Sequence, residues 1–418
     1  MGNFGANEKK IAVLLSNFPR LKKNIKKNYQ RLTFLFNRKN YQYNTLYPIS
    51  AVDDSSSSSF FGYYDKSPEN VKGDKIIYYR TTYDTKQVPT IEYPIQIILK
   101  CLKTDTLYVI DNTYAYNWQQ GSKMMWLNNE EFIYNFYSKE LNEYKSKIYH
   151  TKFNTFRVLD LPIYDCFEDK TAYCINYSRL MDLRPDYGYR NIKPVINYEN
   201  YENDGIFKLS IIDNSYSLLI SLKQLIALKP VLSMQDAKHK VNHIMISPDG
   251  GSFMFMHRWF TKSGKRYDRL LVSDSDHGKI KIVSDGGMVS HCCWKDNDTI
   301  VGYLKHNNID AFYKIDLDDL SFSELFNNSN RFSDGHPTFN SNHMVFDSYP
   351  DRSRMKKLYI YNSNNDEVTL FGEFLEPLAF HNESRCDLHP RFNYKKNKIY
   401  FDSVHNGQRK LYYLETTL

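Results

Sequence analysis

Residues 243–259 read HIMISPDGGSFMFMHRW, and the same pattern returns as HCCWKDNDTIVGYL at 291–304, HPTFNSNHMVFDSY at 336–349 and HPRFNYKKNKIYFDSV at 389–404. Each copy starts with a histidine, passes through a polar turn and ends in a strand of alternating apolar residues. The histidines recur about every 45 to 53 residues, which is the period of a four-stranded propeller blade. The repeat therefore predicts an all-β fold made of blades around one axis.

Weaker copies precede these four. They read GYYDKSPENVKGDKIIYYR at 62–80, WQQGSKMMWLNNEEFIYNFY at 118–137 and TAYCINYSRL at 171–180. The copies add up to about seven units, so we expect residues 51–418 to form a seven-bladed β-propeller. The 35 Tyr and 26 Phe agree, because aromatic side chains suit pleated, half-buried strands. The interval before residue 243 contains LRPDYGYR (183–190), which we interpret as part of a long loop over one face.

A basic extension of residues 1–50 precedes the propeller. Apolar residues recur in it at helical spacing between basic ones: Leu21, Ile25, Tyr29, Leu32 and Leu35 alternate with Lys22, Lys23, Lys26, Lys27 and Arg31. This pattern predicts an amphipathic helix. It either packs against the main domain as a solvated helix, which its narrow apolar face favours, or makes a weak contact with an anionic membrane or partner. We interpret DDSSSSS (53–59) as a flexible linker or loop.

Composition excludes some classes of function. The net charge of +7 is thinly spread over 418 residues, unlike the dense basic patch of a nucleic-acid-binding protein, although it suits an acidic ligand. The six cysteines show no CxxC pair and no disulfide-framework spacing, which predicts reduced thiols. The apolar run near the N-terminus covers only about five residues, too few for a signal peptide or a transmembrane span. We therefore expect a cytoplasmic protein without nucleic-acid partners, and we expect it to be a monomer.

Four histidines occupy the same position of successive repeats, namely His243, His291, His336 and His389. In a propeller the innermost strand of every blade runs along the central channel, so these imidazoles should converge on the axis. Such a ring either binds a cation or a polyanion, or consists of largely neutral, hydrogen-bonded histidines that cap the blades.

A divalent metal ion is the simpler interpretation of this ring. In an extended strand Asp387 and His389 point to the same side, as two ligands of one ion should. Cys386 is the alternative ligand if the strand starts later. Imidazoles with a carboxylate or thiolate suit a transition ion, Zn²⁺ first and Mn²⁺ as the alternative, better than Ca²⁺ or Mg²⁺.

The His-Pro-x-Phe blade start, the MHRW of 256–259 and the GYYDKSP of 62–68 resemble a known family. The chain is similar to the seven-bladed propeller polysaccharide lyases, namely oligogalacturonate lyase and the ulvan lyases, and their homologues in surface-polysaccharide gene clusters. In these enzymes a metal lies at the end of the channel and a uronic acid chain is cut beside it by β-elimination. The resemblance implies that the metal ligands are His291, His336 and His389 with Asp387 or Cys386. It also implies that His243 is the base.

A β-elimination needs a neutralised uronate carboxylate, a base for the C5 proton and an acid for the leaving C4 oxygen. A metal or Arg258 could neutralise the carboxylate, and His243 or His257 could accept the proton. Tyr187 or Tyr189 of LRPDYGYR could protonate the leaving group. The alternative interpretation of 257–259 is a packed strand end.

The chain departs from the lyase pattern at two places. The final blade has Asp-Leu-His-Pro where oligogalacturonate lyase has His-Pro-His-Pro, and the second blade has Trp118, Gln119 and Gln120 where relatives use histidine. Glutamine cannot act as a base, so we interpret these three residues as contacts to a sugar face, together with Arg184 and Tyr187. Two hypotheses remain: a lyase on uronic-acid glycans, and a carbohydrate-binding or assembly propeller of surface-polysaccharide biosynthesis without elimination chemistry.

Overall fold

The computed structural model describes residues 19–193, 198–326, 332–395 and 397–416. The interpretation of residues 1–18 lies outside these descriptions, as do the side chains of Leu21, Lys22, Lys23, Lys26 and Lys27.

Short antiparallel strands make up most of the fold. In the first half of the chain they are β1 (Tyr43–Thr45), β2 (Ile49–Ala51), β3 (Ser58–Phe60), β4 (Lys75–Thr81), β5 (Ile95–Cys101), β6 (Thr106–Thr113), β7 (Met125–Trp126), β8 (Glu131–Ser138), β9 (Glu143–His150), β10 (Thr155–Leu159), β11 (Ile163–Phe167), β12 (Thr171–Ile175), β13 (Gly205–Ser210) and β14 (Tyr216–Ser221). In the second half they are β15 (Lys238–Ile246), β16 (Ser252–Phe260), β17 (Arg266–Asp274), β18 (Ile280–Gly287), β19 (Val289–Trp294), β20 (Thr299–His306), β21 (Ile309–Asp316), β22 (Phe322–Glu324), β23 (Thr338–Asn340), β24 (His343–Asp347), β25 (Met355–Asn362), β26 (Glu367–Leu375), β27 (Arg391–Phe392), β28 (Lys398–Ser403) and β29 (Lys410–Glu415).

Within the described residues these strands form seven sheets, which are the blades of a propeller. Blades 1 to 5 each use four consecutive strands, from β3–β6 through β19–β22. Blade 6 consists of β23–β26 with β1, and blade 7 of β27–β29 with β2. The predicted seven-bladed β-propeller is confirmed.

The N-terminal strands close the ring. β1 pairs with β26, with Tyr43 opposite Phe374, and β2 pairs with β29, with Ile49 opposite Leu414. The propeller strands therefore begin at Tyr43, before the boundary at residue 50 that the sequence suggested. The serine tract also differs from the expected linker, because Ser58 and Ser59 belong to the inner strand β3 and are buried.

Three helices lie outside the blades in the described part of the chain. They are α1 (Pro19–Asn37), α2 (Tyr177–Leu183) and α3 (Leu222–Ala227), and two 3-10 turns cover Leu232–Met234 and Asn382–Ser384. A capping box starts α3: the Ser221 hydroxyl accepts from the Gln224 backbone N–H, and the Gln224 side chain accepts from the Ser221 N–H. Among the described residues no helix is both long and apolar enough to cross a membrane.

The N-terminal helix is present as predicted, but its apolar side faces outward. Leu32 and Leu35 are each more than half exposed, and Phe36 is 87% exposed. Gln30 and Arg31, on the polar side, line a cavity at one end of the propeller. The helix therefore meets the propeller through its polar side, and much of its apolar side is exposed.

Candidate functional site

The four equivalent histidines meet at one end of the channel. His243 and His291 lie at bulges in the inner strands β15 and β19, and His336 and His389 come two residues before the inner strands β23 and β27. The ring centroids are 5.8 Å apart for His243 and His291, 4.0 Å for His291 and His336, and 4.3 Å for His336 and His389. The four imidazoles therefore converge at the channel, as the repeat predicted.

Backbone strain accompanies this arrangement. His243 has a φ of 64° and His389 a φ of 46°, in the left-handed region that residues with a β-carbon seldom adopt. Such residues cost about 1–3 kcal/mol each and cluster at functional sites. The strain indicates that the positions of these two rings matter more than the local stability they cost.

His336 is held by a carboxylate from the next strand. Its backbone N–H and its ring Nδ1–H both donate to Asp347, each at 2.8 Å. The other oxygen of Asp347 accepts from the backbone N–H of His389 at 3.1 Å. Burial alone would lower the pKa of His336, but the adjacent Asp347 carboxylate raises it above the usual value. This hydrogen bond leaves Nε2 of His336 as the nitrogen available to a ligand.

His336, His389 and Asp387 form the best candidate metal site. One nitrogen from each ring and one carboxylate oxygen lie within 4.8 Å of one another. Nε2 of His336 and Nε2 of His389 are buried and have no hydrogen-bond partner in the described structure. Buried polar atoms normally have partners, so these two nitrogens and the carboxylate fit a bound divalent ion. We call these three residues the metal group.

His291 lies next to the metal group, and its Nδ1–H donates to Asp334 at 3.1 Å. Burial, together with the neighbouring His336, lowers the pKa of His291 to about 4, so the ring is neutral at pH 7. The same carboxylate–histidine arrangement that orients His336 thus orients His291. This residue remains a candidate fourth ligand, as the resemblance implied.

Cys386 does not join the metal group. Its side chain packs in a small apolar cluster with Phe380 and Val404. Burial raises the pKa of the Cys386 thiol to about 12, which keeps it protonated. Because successive residues of an extended chain point to opposite sides, Asp387 rather than Cys386 faces the histidines.

Asp387 is ionised although it is buried. Its carboxylate accepts from Lys356 at 2.8 Å and from Arg385 at 2.8 Å. Burial would raise its pKa, but these two cations hold the pKa well below the usual value. A carboxylate has about four lone-pair sites, so these contacts leave positions for an ion.

Two tyrosines fix the tautomer of His243. Tyr64 donates its hydroxyl proton to the carbonyl oxygen of Cys292 at 2.9 Å, so its own oxygen can only accept from Nε2 of His243, 2.8 Å away. His243 therefore carries its proton on Nε2, and Nδ1 accepts from the Tyr63 hydroxyl at 2.9 Å. Burial holds the pKa of His243 well below its usual value, so the ring is neutral at pH 7.

A cavity of about 990 Å³ opens beside this ring. Basic residues dominate the charged part of its wall: Arg31, Arg184, Arg258, Arg266, Arg354, Lys356 and Arg385. The acidic ones are Asp334, Glu376 and Asp387. His243, His291 and Tyr187 also face the cavity, which is therefore suited to an acidic ligand.

Of the predicted catalytic residues, His243 and Arg258 line the cavity and His257 does not. Nδ1 of His257 accepts from Arg269 at 3.1 Å, and its Nε2–H donates to His239 at 2.9 Å, inside blade 4. Side chains alternate along β16, so only one of two adjacent residues can reach the cavity. His257 is a buried structural residue.

The two tyrosines of LRPDYGYR also separate. Tyr187 lines the cavity beneath the guanidinium of Arg184, which lies 5.1 Å from its ring centroid and lines the cavity too. Tyr189 is fully buried, stacks on Tyr177 with ring centroids 4.3 Å apart and accepts a hydrogen bond from Asn135. Tyr189 is therefore too remote from the cavity to act as the predicted acid.

The three second-blade residues predicted to hold a sugar are buried in the protein. Trp118 packs against Phe60 and donates to a backbone carbonyl. The Gln119 amide donates to a backbone carbonyl at 2.9 Å, and the Gln120 amide donates to Tyr164 at 3.2 Å. Tyr164 in turn accepts from the backbone N–H of His243 at 2.9 Å. Gln120 therefore supports the site from within and does not line the cavity.

The sequence analysis missed five residues that shape the site: Tyr63, Tyr64, Asp347, Lys356 and Arg385. A signal existed for the first three. Tyr63 and Tyr64 belong to the blade start GYYDKSP, and Asp347 belongs to the FDS motif that recurs as 401–403. Lys356 falls at the blade position that Arg409 holds in the last copy, since Asp347 pairs with Leu358 as Asp402 pairs with Leu411, whereas Arg385 has no counterpart in the repeat.

No family model matches the chain, and no curated protein matches it by sequence. Among solved structures it is similar to the oligogalacturonate lyase of Vibrio parahaemolyticus, with a TM-score of 0.62 and 13% identity over 89% of this chain and 96% of that one. An oligogalacturonate lyase in complex with manganese gives a TM-score of 0.59 and 14% identity over 89% and 94% of the two chains. The β-propeller domain of the Trilobed protease from Pyrococcus furiosus gives 0.50 and 9% identity over 85% and 96%. The chain therefore has the β-propeller fold of the oligogalacturonate lyases, and the predicted resemblance is confirmed at the level of fold.

Proposed function

We propose that the protein is a polysaccharide lyase that cleaves uronic-acid-containing glycans by β-elimination. One observation carries the proposal: a neutral imidazole, His243, faces a basic cavity beside a buried group of two histidines and an aspartate with metal-ligand chemistry. The cavity suits an acidic glycan, and the neutral ring suits proton transfer.

The reaction breaks the C5–H bond and the C4–O bond of the uronate and forms a C4=C5 double bond. His243 is the base, and its lone pair is on Nδ1. That nitrogen accepts a hydrogen bond from the Tyr63 hydroxyl. The substrate proton therefore reaches it either by relay through this hydroxyl or after the hydroxyl is displaced. Tyr187, which faces the cavity, protonates the leaving oxygen in place of the buried Tyr189.

The uronate carboxylate must be neutralised before the weakly acidic C5 proton can leave. Arg258 in the cavity wall is one group for this task. A divalent ion held by His336, Asp387 and His389, with His291 beside them, would supply positive charge for the same purpose. Imidazole and carboxylate ligands suit Zn²⁺ or Mn²⁺, and one structural neighbour is an oligogalacturonate lyase in complex with manganese.

A second candidate function is carbohydrate binding without turnover, in surface-polysaccharide assembly. Both ring nitrogens of His243 are engaged by tyrosine hydroxyls, which favours a fixed hydrogen-bonded cap over a free base. The basic cavity would then bind the same class of acidic glycan.

The assay that tests the proposal follows the ultraviolet absorbance of unsaturated uronides. The metal-loaded protein is incubated with a panel of uronic-acid polymers and oligomers, with and without chelator. The proposal predicts product from at least one substrate and its loss on chelation. Binding of uronic-acid oligosaccharides with no unsaturated product from any substrate would support the second function instead.

A further inference from the structure

Blade 4 brings two cations together on one face. In the strand register Lys240 of β15 lies opposite Arg258 of β16, and Arg258 lies opposite Asp268 of β17. Directly opposed residues of antiparallel strands share a face, and like charges in that position destabilise a sheet. The repulsion between this lysine and this arginine therefore has to be offset by a negative charge nearby.

Acidic side chains do not balance this charge. Asp268 is shared, because one oxygen lies 3.0 Å from Nε of Arg258 and the other 3.2 Å from Nε of Arg266. The ammonium of Lys240 donates to the amide oxygen of Asn242 at 2.9 Å, and no carboxylate of the described residues pairs with it.

Arg184 is the fourth basic residue, and it lines the cavity with Arg258 and Arg266, whereas Lys240 is buried behind the wall. Arg184 pairs with Asp186 at 2.9 Å, but Asp186 also accepts from Arg385 at 2.8 Å. We call Arg184, Lys240, Arg258 and Arg266 the basic cluster. Two carboxylates serve its four cations, and one of them is shared with a residue outside it.

Lys240 shows how strongly this part of the protein disfavours a further positive charge. Its side chain is almost completely buried, with 1% exposure. Burial, together with Arg258 and Arg184, holds the pKa of Lys240 well below the usual value. Lysine is rarely buried without an acidic partner. The charged form of a buried lysine becomes favourable when an anion binds beside it.

Members of the basic cluster and of the metal group line one cavity. Arg184, Arg258 and Arg266 line the cavity, with Arg258 and Arg266 on blade 4. The metal group lies at the starts of blades 6 and 7, and the rings of His243 and His291 lie between the two. The two groups are therefore placed to act at the same time on different parts of a ligand.

We propose that Arg184 and Arg266 of the basic cluster, with Lys240 behind them, form a second anion subsite, which holds a carboxylate or sulfate on the sugar next to the one whose carboxylate Arg258 neutralises. This inference rests on the proposed function, since it takes the ligand to be an acidic glycan. Guanidinium groups bind planar and tetrahedral oxyanions in a forked geometry, so the cluster suits either group. The preferred substrate then carries anionic groups on adjacent sugars.

The test compares affinities of the metal-loaded full chain for galacturonate, trigalacturonate and a sulfated disaccharide, by calorimetry. The variants are Lys240→Met and Arg266→Gln, which both leave Asp268 paired with Arg258. The exposed Lys262→Gln, whose partner is Asp236, is the control. The parent should bind the oligomers more tightly than the monomer. Each variant should reduce that advantage by about tenfold, which corresponds to loss of about 1.4 kcal/mol, and the control should not.

The two oligomer arms separate carboxylate from sulfate as the preferred group. Equal loss of monomer and oligomer affinity in the variants, or no loss, would overturn the second subsite. If the parent binds no uronide at all, the proposed function fails by itself. The subsite is then tested with inorganic sulfate at constant ionic strength. Sulfate should raise the melting temperature of the parent more than that of either variant, and an equal rise in all of them would overturn it.

Discussion

Asp347 accepts from His336 twice, at the backbone N–H and at ring Nδ1, with 2.8 Å for each bond. A partner of this kind fixes both the tautomer and the direction of a ligating histidine. The same carboxylate also binds the backbone of His389, so one side chain orients two members of the metal group.

Replacing Asp347 with asparagine should therefore weaken metal binding. We expect Asp347→Asn to lower the affinity for Zn²⁺ or Mn²⁺ by roughly 10- to 100-fold, measured by calorimetry. The matched control is Asp402→Asn, in the next blade, because that carboxylate binds the backbone of Phe61 and Gly62 and the guanidinium of Arg391 but contacts no histidine ring. Unchanged affinity in Asp347→Asn would contradict the role given to this residue.

Part of this site could be predicted from the sequence. The recurrence of His243, His291, His336 and His389 predicted both the blades and the convergence of the rings, because equivalent positions in a propeller meet at the axis. His257, Tyr189 and Trp118 were chosen for their chemistry and not from the repeat, and the structure places them away from the cavity, since residue type does not determine which face a loop or strand end presents. Lys356 could not be assigned to the site, because it lies 31 positions from Asp387 and only packing brings the two together. Arg385 is a sequence neighbour of Asp387, but nothing in the repeat marks it.

Metal content should show whether Cys386, which the sequence left open as a ligand, is needed as His389 is. Protein purified without added metal should contain about one equivalent of a divalent transition ion by elemental analysis. His389→Ala should abolish it, because this change removes one of two unpartnered buried nitrogens. Cys386→Ala should retain it, since the thiol packs with Phe380 and Val404. Loss of metal in Cys386→Ala but not in His389→Ala would show that the ligand assignment is wrong.

His243, the proposed base, can be compared with His257, which does not reach the cavity. His243→Ala should lower turnover by about 10²-fold or more, while metal content and melting temperature stay close to those of the parent. His257→Gln is the comparison, because this histidine is bonded to Arg269 and His239 away from the cavity. We expect its turnover per folded molecule to equal that of the parent. The base assignment fails if the two variants lose turnover to the same extent.

The free energy of unfolding should decrease as the pH is lowered, because His405 is buried in its neutral form. Burial lowers its pKa to about 4, among Tyr43, Phe374 and Tyr412. The unfolded chain takes up the proton near pH 6.5, so this contribution is complete above about pH 6.5 and is lost progressively down to about pH 4.

His405→Phe keeps the aromatic packing and removes the titration. We expect the melting temperature of this variant to depend less on pH between about 6.5 and 4 than that of the parent. His277→Gln, at an exposed turn, is the control and should follow the parent. An identical pH profile for His405→Phe and the parent would exclude His405 as a source of acid sensitivity.

The pairing of β1 with β26 and of β2 with β29 has a consequence for the order of folding. Among the described strands β1 and β2 come first and β29 comes last, so the ring closes only after all of these strands have been synthesised. His336 and His389 start the two blades that this late pairing completes. An ion held by these residues would stabilise the ring in which both blades are complete. Metal binding would therefore favour molecules whose propeller is closed over those in which the last strand has not yet paired.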